Sequence, residues 1–324
     1  MKTKQLNRNL LVLCALILPL AFSSCGGGAG SFKNDETPTS GKIKIGVDES
    51  FQLLFDTEIY TFKSLYQNAH ITPIYKPELD ILDAYMKDSI RLMVTSRKLT
   101  KDEEQYLSSK QVVPRTTKIA YDALAFIINK DRVDTLIKYP IIKDIFTGTV
   151  NNWKQVDPKS VPGDIQVVFD NQKSGNVRYF LDKFKLPNQL PKNCLAADNN
   201  NEVINYVEKH KNAIGIISVN WISDRNDSVS HVFLNKIHVV GISSEYDTEG
   251  LAYYIPHQGY IADKSYPFVR EVYMISRESF TGLGSGFISF VASDIGQRII
   301  LKSKLVPATM PVRLMQSKRN LDNN

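Results

Sequence analysis

Residues 42–66 read KIKIGVDESFQLLFDTEIYTFKSLY, and this stretch contains one complete unit of an α/β fold. Residues 42–47 form a short apolar run that predicts a β-strand, ending in a tight turn at Asp48 and Glu49. The apolar side chains that follow recur every three or four residues, as on one face of a helix: Phe51, Leu54, Phe55, Ile59, Phe62, Leu65 and Tyr66. Ser50 stands where a helix cap is expected.

The rest of the body repeats this alternation of strands and helices. Strands are predicted at residues 70–75, 90–95, 165–169, 212–219, 237–242 and 271–275, with helical patterns between them, as at residues 78–87 and 287–301. Thr100 and Glu103 have the spacing of a capping box. Residues 119–128 are long and apolar for one strand, which suits a segment that passes from one lobe into another. The alternation predicts an α/β architecture with sheets covered on both faces.

Residues 173–176 form a second tight turn that follows a strand and opens a helix. Free N–H groups at a helix start, aided by the helix dipole, favour a bound anion, and ligands collect at the carboxyl ends of strands in open α/β sheets. The residues whose side chains or N–H groups can donate to such an anion are Ser50, Phe51, Ser174, Gly175 and Asn176. The alternative is that Ser50 and Ser174 are plain helix caps.

Ser96 and Arg97 also follow a predicted strand, so a hydroxyl and a bidentate guanidinium can reach the same region. The alternative for Arg97 is a solvated arginine at a strand end. Asp122 lies inside an apolar strand and needs a partner if it is buried, which favours a structural role in holding the crossing segment.

Signatures of catalysis are absent from the sequence. It contains no His-Glu-x-x-His, Cys-x-x-Cys, Ser-x-x-Lys, Gly-x-Ser-x-Gly or P-loop motif, and its histidines, at 70, 210, 231, 238 and 257, lack metal-ligand spacing. Residues 282–286, GLGSG, precede a helix but lack the lysine of a P-loop. We therefore expect no catalytic residue, no metal site and no cofactor.

The amino terminus has the pattern of a bacterial export signal. Basic residues precede about a dozen apolar ones, and Ser23 and Ser24 stand before Cys25. This resembles the lipobox of a lipoprotein, which predicts a signal peptide at 1–24 and acylation of Cys25; cleavage by an ordinary signal peptidase is the alternative. Residues 25–41 are rich in Gly, Ser and Thr and predict a flexible tether. We expect a body in the periplasm, anchored by lipid to a membrane of the cell envelope.

Charge and cysteine content limit the partners and the means of stabilisation. Loss of Lys2, Lys4 and Arg8 with the leader lowers the net charge from +6 to +3, so nothing favours nucleic acid. Cys194 would be the only cysteine left besides the acylated Cys25, so the body must be held by its apolar core. We expect a monomer.

Several short motifs, in order along residues 42–312, resemble those of the phosphate-binding proteins of phosphate ABC transporters. Besides the strand that leads to Ser50 and Phe51, they lie at residues 94–100, 119–129, 145–153, 174–176, 213–218 and 290–307. The resemblance implies the type II periplasmic-binding-protein fold, with two α/β lobes joined by two hinge-crossing strands. It assigns residues 42–118 and 240–312 to lobe I, 119–239 to lobe II and 313–324 to a tail.

Carried over by position, the resemblance implies that Ser50, Phe51, Ser96, Ser174, Gly175 and Asn176 contact a bound oxyanion. Asn176 replaces the usual threonine, Asp170 stands where the family has an arginine, and Glu78 lies in the region that usually supplies a serine. A phosphate beside Asp170 needs that carboxylate protonated, sharing the ligand's hydrogen or turned away. Arg97 or Arg178 can compensate, and Arg97 is included among the predicted contacts.

The resemblance implies a lipid-anchored solute-binding protein that captures phosphate or a related oxyanion and delivers it to an ABC permease. One alternative is the same scaffold retuned to a different small ligand, or acting as a sensor or binding lipoprotein of the envelope without transport. Another is an exported hydrolase.

Overall fold

The first unit of the chain folds as strand, turn and helix. Strand β1 (Gly41–Asp48) leads through a 3-10 turn (Glu49–Phe51) into helix α1 (Gln52–Leu65). Asp48 caps the turn by accepting a hydrogen bond from the Ser50 N–H at 3.0 Å. The cap prediction for Ser50 is therefore wrong, because Ser50 lies inside the turn and its side chain is free for another contact.

The computed structural model describes residues 36–187, 189–222, 236–247 and 249–311, so Cys25, the leader and the predicted tail at 313–324 lie outside the described residues. The remaining strands there are β2 (Ala69–Lys76), β3 (Leu92–Thr95), β4 (Arg115–Asn129), β5 (Leu136–Ile137), β6 (Gln166–Phe169), β7 (Cys194–Ala196), β8 (Ala213–Ser218), β9 (Ile237–Val239), β10 (Gly241–Ser243), β11 (Tyr253–Tyr254), β12 (Val269–Ser276) and β13 (Val306–Pro307). The remaining α-helices are α2 (Glu78–Met86), α3 (Lys101–Ser109), α4 (Tyr139–Thr147), α5 (Trp153–Val156), α6 (Gly175–Phe184), α7 (Asn200–Lys209), α8 (Gln258–Ala262), α9 (Leu283–Val291) and α10 (Asp294–Lys302), and a 3-10 helix spans Val219–Trp221.

One large sheet runs through the body in the order β2-β1-β3-β12-β4-β8-β6-β7, with β13 and β9 also paired to β4. Strand β4 belongs to two parts of it: up to Ala123 it pairs with β12, and from Leu124 it pairs with β8. We call β2, β1, β3, β12 and the start of β4 the first half, and the rest of β4 with β8, β6, β7 and β9 the second half. The long apolar run predicted to cross between lobes is this shared strand.

Helix α6 is anchored in the core of the second half by aromatic packing. Phe180 stacks on Phe146 with ring centroids 4.4 Å apart and lies edge-on to Phe126 at 5.7 Å. All three rings are buried. Because stacked and edge-to-face aromatic pairs add to the stabilisation from burial, they hold the helix, and with it the turn at its amino-terminal end, in place.

Three details differ from expectation. The end of the predicted tether packs on the body, because the Glu36 carboxylate accepts from Arg91 at 2.7 and 2.8 Å. The predicted strand at residues 237–242 is two short strands, since β9 pairs with β4 and β10 pairs with β5. Residues 287–301 fall in two helices, α9 and α10. Within the described residues, no helix has the length and apolar character needed to cross a bilayer.

Candidate functional site

Three loops of the first half meet at one edge of the sheet. Strand β1 is parallel to both β2 and β3, so their carboxyl ends lie together, and the segments that follow them are Glu49–Phe51, residues 77–78 and Ser96. In the second half, β6 ends at Phe169 and leads through Asp170 to the start of α6. The two predicted turns, one after β1 and one before α6, therefore face each other where the halves meet. The Ser50 hydroxyl donates to the Asn176 side-chain oxygen at 3.4 Å.

Gly175, the first residue of α6, lies where side chains from the first half converge. A Cβ atom at this position would lie 2.7 Å from Asp48 Oδ2, 2.8 Å from Ser96 Oγ and 2.9 Å from Glu78 Oε2. Glycine is therefore required for this close approach, and the helix amino terminus meets three side-chain oxygens of the other half.

Glu78 holds its carboxylate inside a ring of donors. Its Oε2 accepts from the Thr95 hydroxyl at 2.7 Å, from the Ser96 hydroxyl at 2.8 Å and from the Ser96 N–H at 3.0 Å. Arg178, on α6, donates through Nε to Oε1 and through Nη2 to Oε2 at 3.3 Å. Burial alone would raise the pKa of Glu78, but the Arg178 charge and these hydrogen bonds outweigh it and lower the pKa to about 2.

Next to this ring lies a set of buried polar atoms that have no hydrogen-bond partner among the described residues. The donors in the set are Asn176 Nδ2 and both terminal nitrogens of Arg270, and the acceptors are Asp48 Oδ2 and Asp170 Oδ1. Buried polar atoms are nearly always hydrogen-bonded, because leaving one unpaired costs free energy. These donors and acceptors are therefore available to form hydrogen bonds with a small polar ligand.

The two aspartates of this set are hard to ionise. Burial raises the pKa of Asp48 to about 7, and the negative charge of Glu78 adds to the rise, although Arg270 opposes it. Burial raises the pKa of Asp170 to about 6, with the Ser174 hydroxyl and Arg270 acting in the opposite direction. Near neutral pH each group therefore exchanges between a carboxylate that accepts and a carboxylic acid that also donates.

Arg270 is fixed by the crossing strand. Its Nε donates to Asp122 Oδ2 at 2.8 Å, and the Ser218 hydroxyl donates to Asp122 Oδ1 at 2.8 Å. The guanidinium carbon lies 5.1 Å from the centre of the Phe51 ring. Asp122 thus pins the crossing strand to β8 and to Arg270 of β12, in agreement with the structural role predicted for it.

The structure brings six of the predicted contact residues together around the donors that surround Glu78 and the buried atoms without hydrogen-bond partners. They are Ser50, Phe51, Ser96, Ser174, Gly175 and Asn176. It does not bring Arg97 there, since that guanidinium donates to both oxygens of Glu103 at 2.7 Å. Arg178 lies there instead of Arg97, and its Nη2 also donates to Ser96 Oγ at 2.9 Å. Ser174 is in addition a helix cap, accepting from the Val177 N–H at 3.3 Å.

Sequence reasoning missed Asp48, Thr95 and Arg270. Asp48 and Thr95 are the last residues of their strands, so their position at a carboxyl edge was a signal that could have been used. Arg270 lies inside β12, and its partner Asp122 is directly opposite on β4, a pairing that no local pattern reveals.

A model of the PBP superfamily domain matches residues 33–294 of this chain. The chain belongs to the PBP superfamily. Relatives include the phosphate-binding protein PstS of Staphylococcus saprophyticus, which is 25% identical over 294 residues, covering 86% of this chain and 83% of that protein. PstS of Staphylococcus aureus strain USA300 is also 25% identical, over 87% of this chain and 83% of its own length.

Solved structures of other proteins have the same fold. A putative phosphate ABC transporter substrate-binding protein with bound phosphate from Clostridium perfringens has a TM-score of 0.68 and 23% identity, and covers 82% of this chain and 99% of its own. An ABC-type phosphate transport receptor from Vibrio cholerae has a TM-score of 0.62 and 19% identity, with 82% and 100% covered. These matches confirm the predicted fold class and the resemblance to phosphate-binding proteins of ABC transporters, and they favour a binding protein over a hydrolase.

Proposed function

We propose that this chain binds a small oxyanion, with phosphate as the first candidate, between the two halves of its sheet. One observation carries the proposal: a group of buried donors and acceptors without hydrogen-bond partners lies where the turn after β1 meets the start of α6. The group consists of Arg270, Asn176, Asp48 and Asp170. The names of the relatives, which are phosphate-binding proteins, support the choice of ligand.

Each group has a distinct part in this proposal. The two free nitrogens of Arg270 form a fork suited to two oxygens of one anion, and Asn176 Nδ2 supplies a third donor. Asp48 and Asp170 accept a hydrogen bond from a protonated oxygen of the ligand when they are ionised, and donate one when they are protonated. Phosphate and arsenate carry a proton at neutral pH whereas sulfate does not, so the site should prefer the first two.

The affinity for phosphate should rise by about tenfold or more as the pH falls from 8 to 6. In this range Asp48, with a pKa of about 7, becomes mostly protonated and Asp170, with a pKa of about 6, partly so, which reduces the negative charge beside the ligand. Titration calorimetry with phosphate, arsenate and sulfate at several pH values measures this, and buffers of different ionisation enthalpy give the number of protons taken up.

Asp170→Asn separates the protein's protons from those of phosphate itself. The amide is neutral at every pH, so only Asp48 still titrates: the variant should bind phosphate more tightly than wild type at pH 8, and its affinity should rise less between pH 8 and 6. Asp294→Asn, which removes a carboxylate from an exposed helix pair with Arg298, is the matched control and should leave the profile unchanged. A wild-type affinity that is flat with pH or falls on acidification contradicts the assignment.

One observation favours a second candidate, a ligand with a cationic or donor-rich group on the same scaffold. The cluster contains the carboxyl groups of Asp48, Glu78 and Asp170, and its two arginines, Arg178 and Arg270, already have acidic partners. A cationic ligand would bind more weakly as the pH falls, the opposite of the trend for an oxyanion. The same pH series therefore separates the two candidates.

The cellular role proposed here is that of a lipid-anchored binding protein that delivers its ligand to an ABC permease from the outer side of the cytoplasmic membrane. It is supported by the lipobox pattern that ends at Cys25 and by relatives named as substrate-binding proteins and receptors of phosphate transport. Two acyl chains give stable anchoring, whereas one chain alone binds a membrane reversibly.

Acylation is expected at Cys25. Cells that express the full chain and are fed a radioactive fatty acid should label the protein, and Cys25→Ala should abolish the label. Cys194→Ala is the control, because Cys194 lies inside the folded body and is partly buried. Label that persists in Cys25→Ala contradicts the anchor.

A further inference from the structure

The carboxylate of Glu78 is surrounded in the way that a bound oxyanion is. It receives two hydroxyls, one backbone N–H and two guanidinium nitrogens, all within hydrogen-bond distance, and its side chain is buried. We call the donors of Thr95, Ser96 and Arg178 the anion cradle. Charge-assisted bonds of this kind are the strong ones, and a guanidinium matches the two oxygens of a carboxylate or phosphate equally well.

The anion cradle is built from both halves of the sheet. Thr95 and Ser96 end strand β3 in the first half, whereas Arg178 lies on helix α6 of the second. Glu78 begins helix α2, which follows β2 in the first half. Its carboxylate therefore bridges the halves, and the neighbouring Asp80 does the same with Lys173 at 2.9 Å.

The anion cradle adjoins the site of the proposed function. Glu78 Oε2 and Asp48 Oδ2 both lie within 3 Å of the same point beside Gly175, namely the position of an added Cβ atom. A free oxyanion that enters beside Gly175 is therefore repelled by the carboxylate of Glu78. The donors of Ser96 and Arg178 are already hydrogen-bonded to that carboxylate.

We propose that Glu78 is a tethered carboxylate that occupies the anion cradle and competes there with the free ligand, so that it determines affinity and specificity. The inference rests on the proposed function, because it assumes that the free ligand is an oxyanion. A group carried on the same chain competes at an effective concentration on the order of millimolar or more. A free anion therefore occupies the anion cradle only if it binds there more strongly than this tethered carboxylate does.

Glu78→Ser tests the proposal, because serine removes the charge and empties the anion cradle. The variant should bind inorganic phosphate at least about tenfold more tightly than wild type in titration calorimetry, and acetate should raise the melting temperature of the variant but not that of wild type. Glu78→Gln keeps the volume without the charge and should lie between the two. Glu103→Gln is the matched control, because Glu103 is also held by an arginine, Arg97, but outside the cradle.

The outcomes distinguish this inference from the proposed function. If wild type binds phosphate and Glu78→Ser binds it equally or more weakly, without a response to acetate, the inference is overturned and the function stands. If only the Glu78 variants bind phosphate, the inference stands and phosphate is not the ligand of the wild-type protein. Failure of wild type and of folded Glu78→Gln to bind any oxyanion overturns both. If Glu78→Ser does not fold, the phosphate affinity of Glu78→Gln is compared with that of wild type instead.

Discussion

Replacing Arg270 by methionine should destabilise the fold by about 3–5 kcal/mol. Arg270 and Asp122 are both buried and their side chains are joined at 2.8 Å. Methionine keeps much of the volume but leaves the Asp122 carboxylate without a counter-charge in the centre of the sheet. Urea unfolding monitored by circular dichroism measures the loss.

The double variant Asp122→Asn, Arg270→Met separates the ion pair from the binding role of the arginine. Neutralising both partners should restore most of the lost stability, because no charge is left buried alone. Phosphate binding should remain about 10 to 100 times weaker than in wild type, since the fork that donates to the anion is still missing. Wild-type affinity in the folded double variant would remove Arg270 from the site.

Gly175→Ala should lower the affinity for phosphate by about a hundredfold. The added methyl carbon would lie within 3 Å of oxygens on Asp48, Ser96 and Glu78. All three side chains are buried, so relief of the clash must shift them or helix α6. The clash is present without ligand as well, so the melting temperature should also fall. Calorimetry and thermal melting together check this.

Gly241→Ala is the control for this substitution. An added Cβ there lies 2.9 Å from a Leu136 methyl carbon and at least 3.5 Å from its other neighbours, and Leu136 is exposed enough to move. Gly241→Ala should therefore bind phosphate as wild type does. Unchanged binding in Gly175→Ala would mean that the ligand does not need the close approach of α6 to the first half.

Local sequence signals correctly predicted helix caps and the long strand near the site. Thr100 and Glu103 form the capping box that their spacing predicts, and Ser174 caps α6. These features depend on residues a few positions apart, where the sequence itself fixes the geometry. The apolar run at residues 119–128 was recognised because this part of β4 is mostly buried and, besides the paired Asp122, needs apolar side chains.

Contacts between distant segments could not be predicted in this way. Arg97 was the nearer candidate by sequence, yet Glu103 on the following helix takes its guanidinium, and Arg178 reaches the cradle from the other half. Arg270 comes to the site only because β12 inserts beside β4 with Arg270 opposite Asp122. Such choices depend on sheet register and on competition among several possible ion pairs, which are properties of the assembled fold.

The place of β12 in the sheet has a consequence for how the chain folds. Residues 269–276 insert between β3 and β4, strands that end about 175 and 140 residues earlier, so the first half stays open between them until almost the whole chain is available. Closing so long a loop is slow, and until it closes the edges of β3 and β4 are open to pairing with other chains. Nascent chains that stop short of β12 therefore leave two strand edges exposed to aggregation, and the arrival of β12 completes the first half of the sheet.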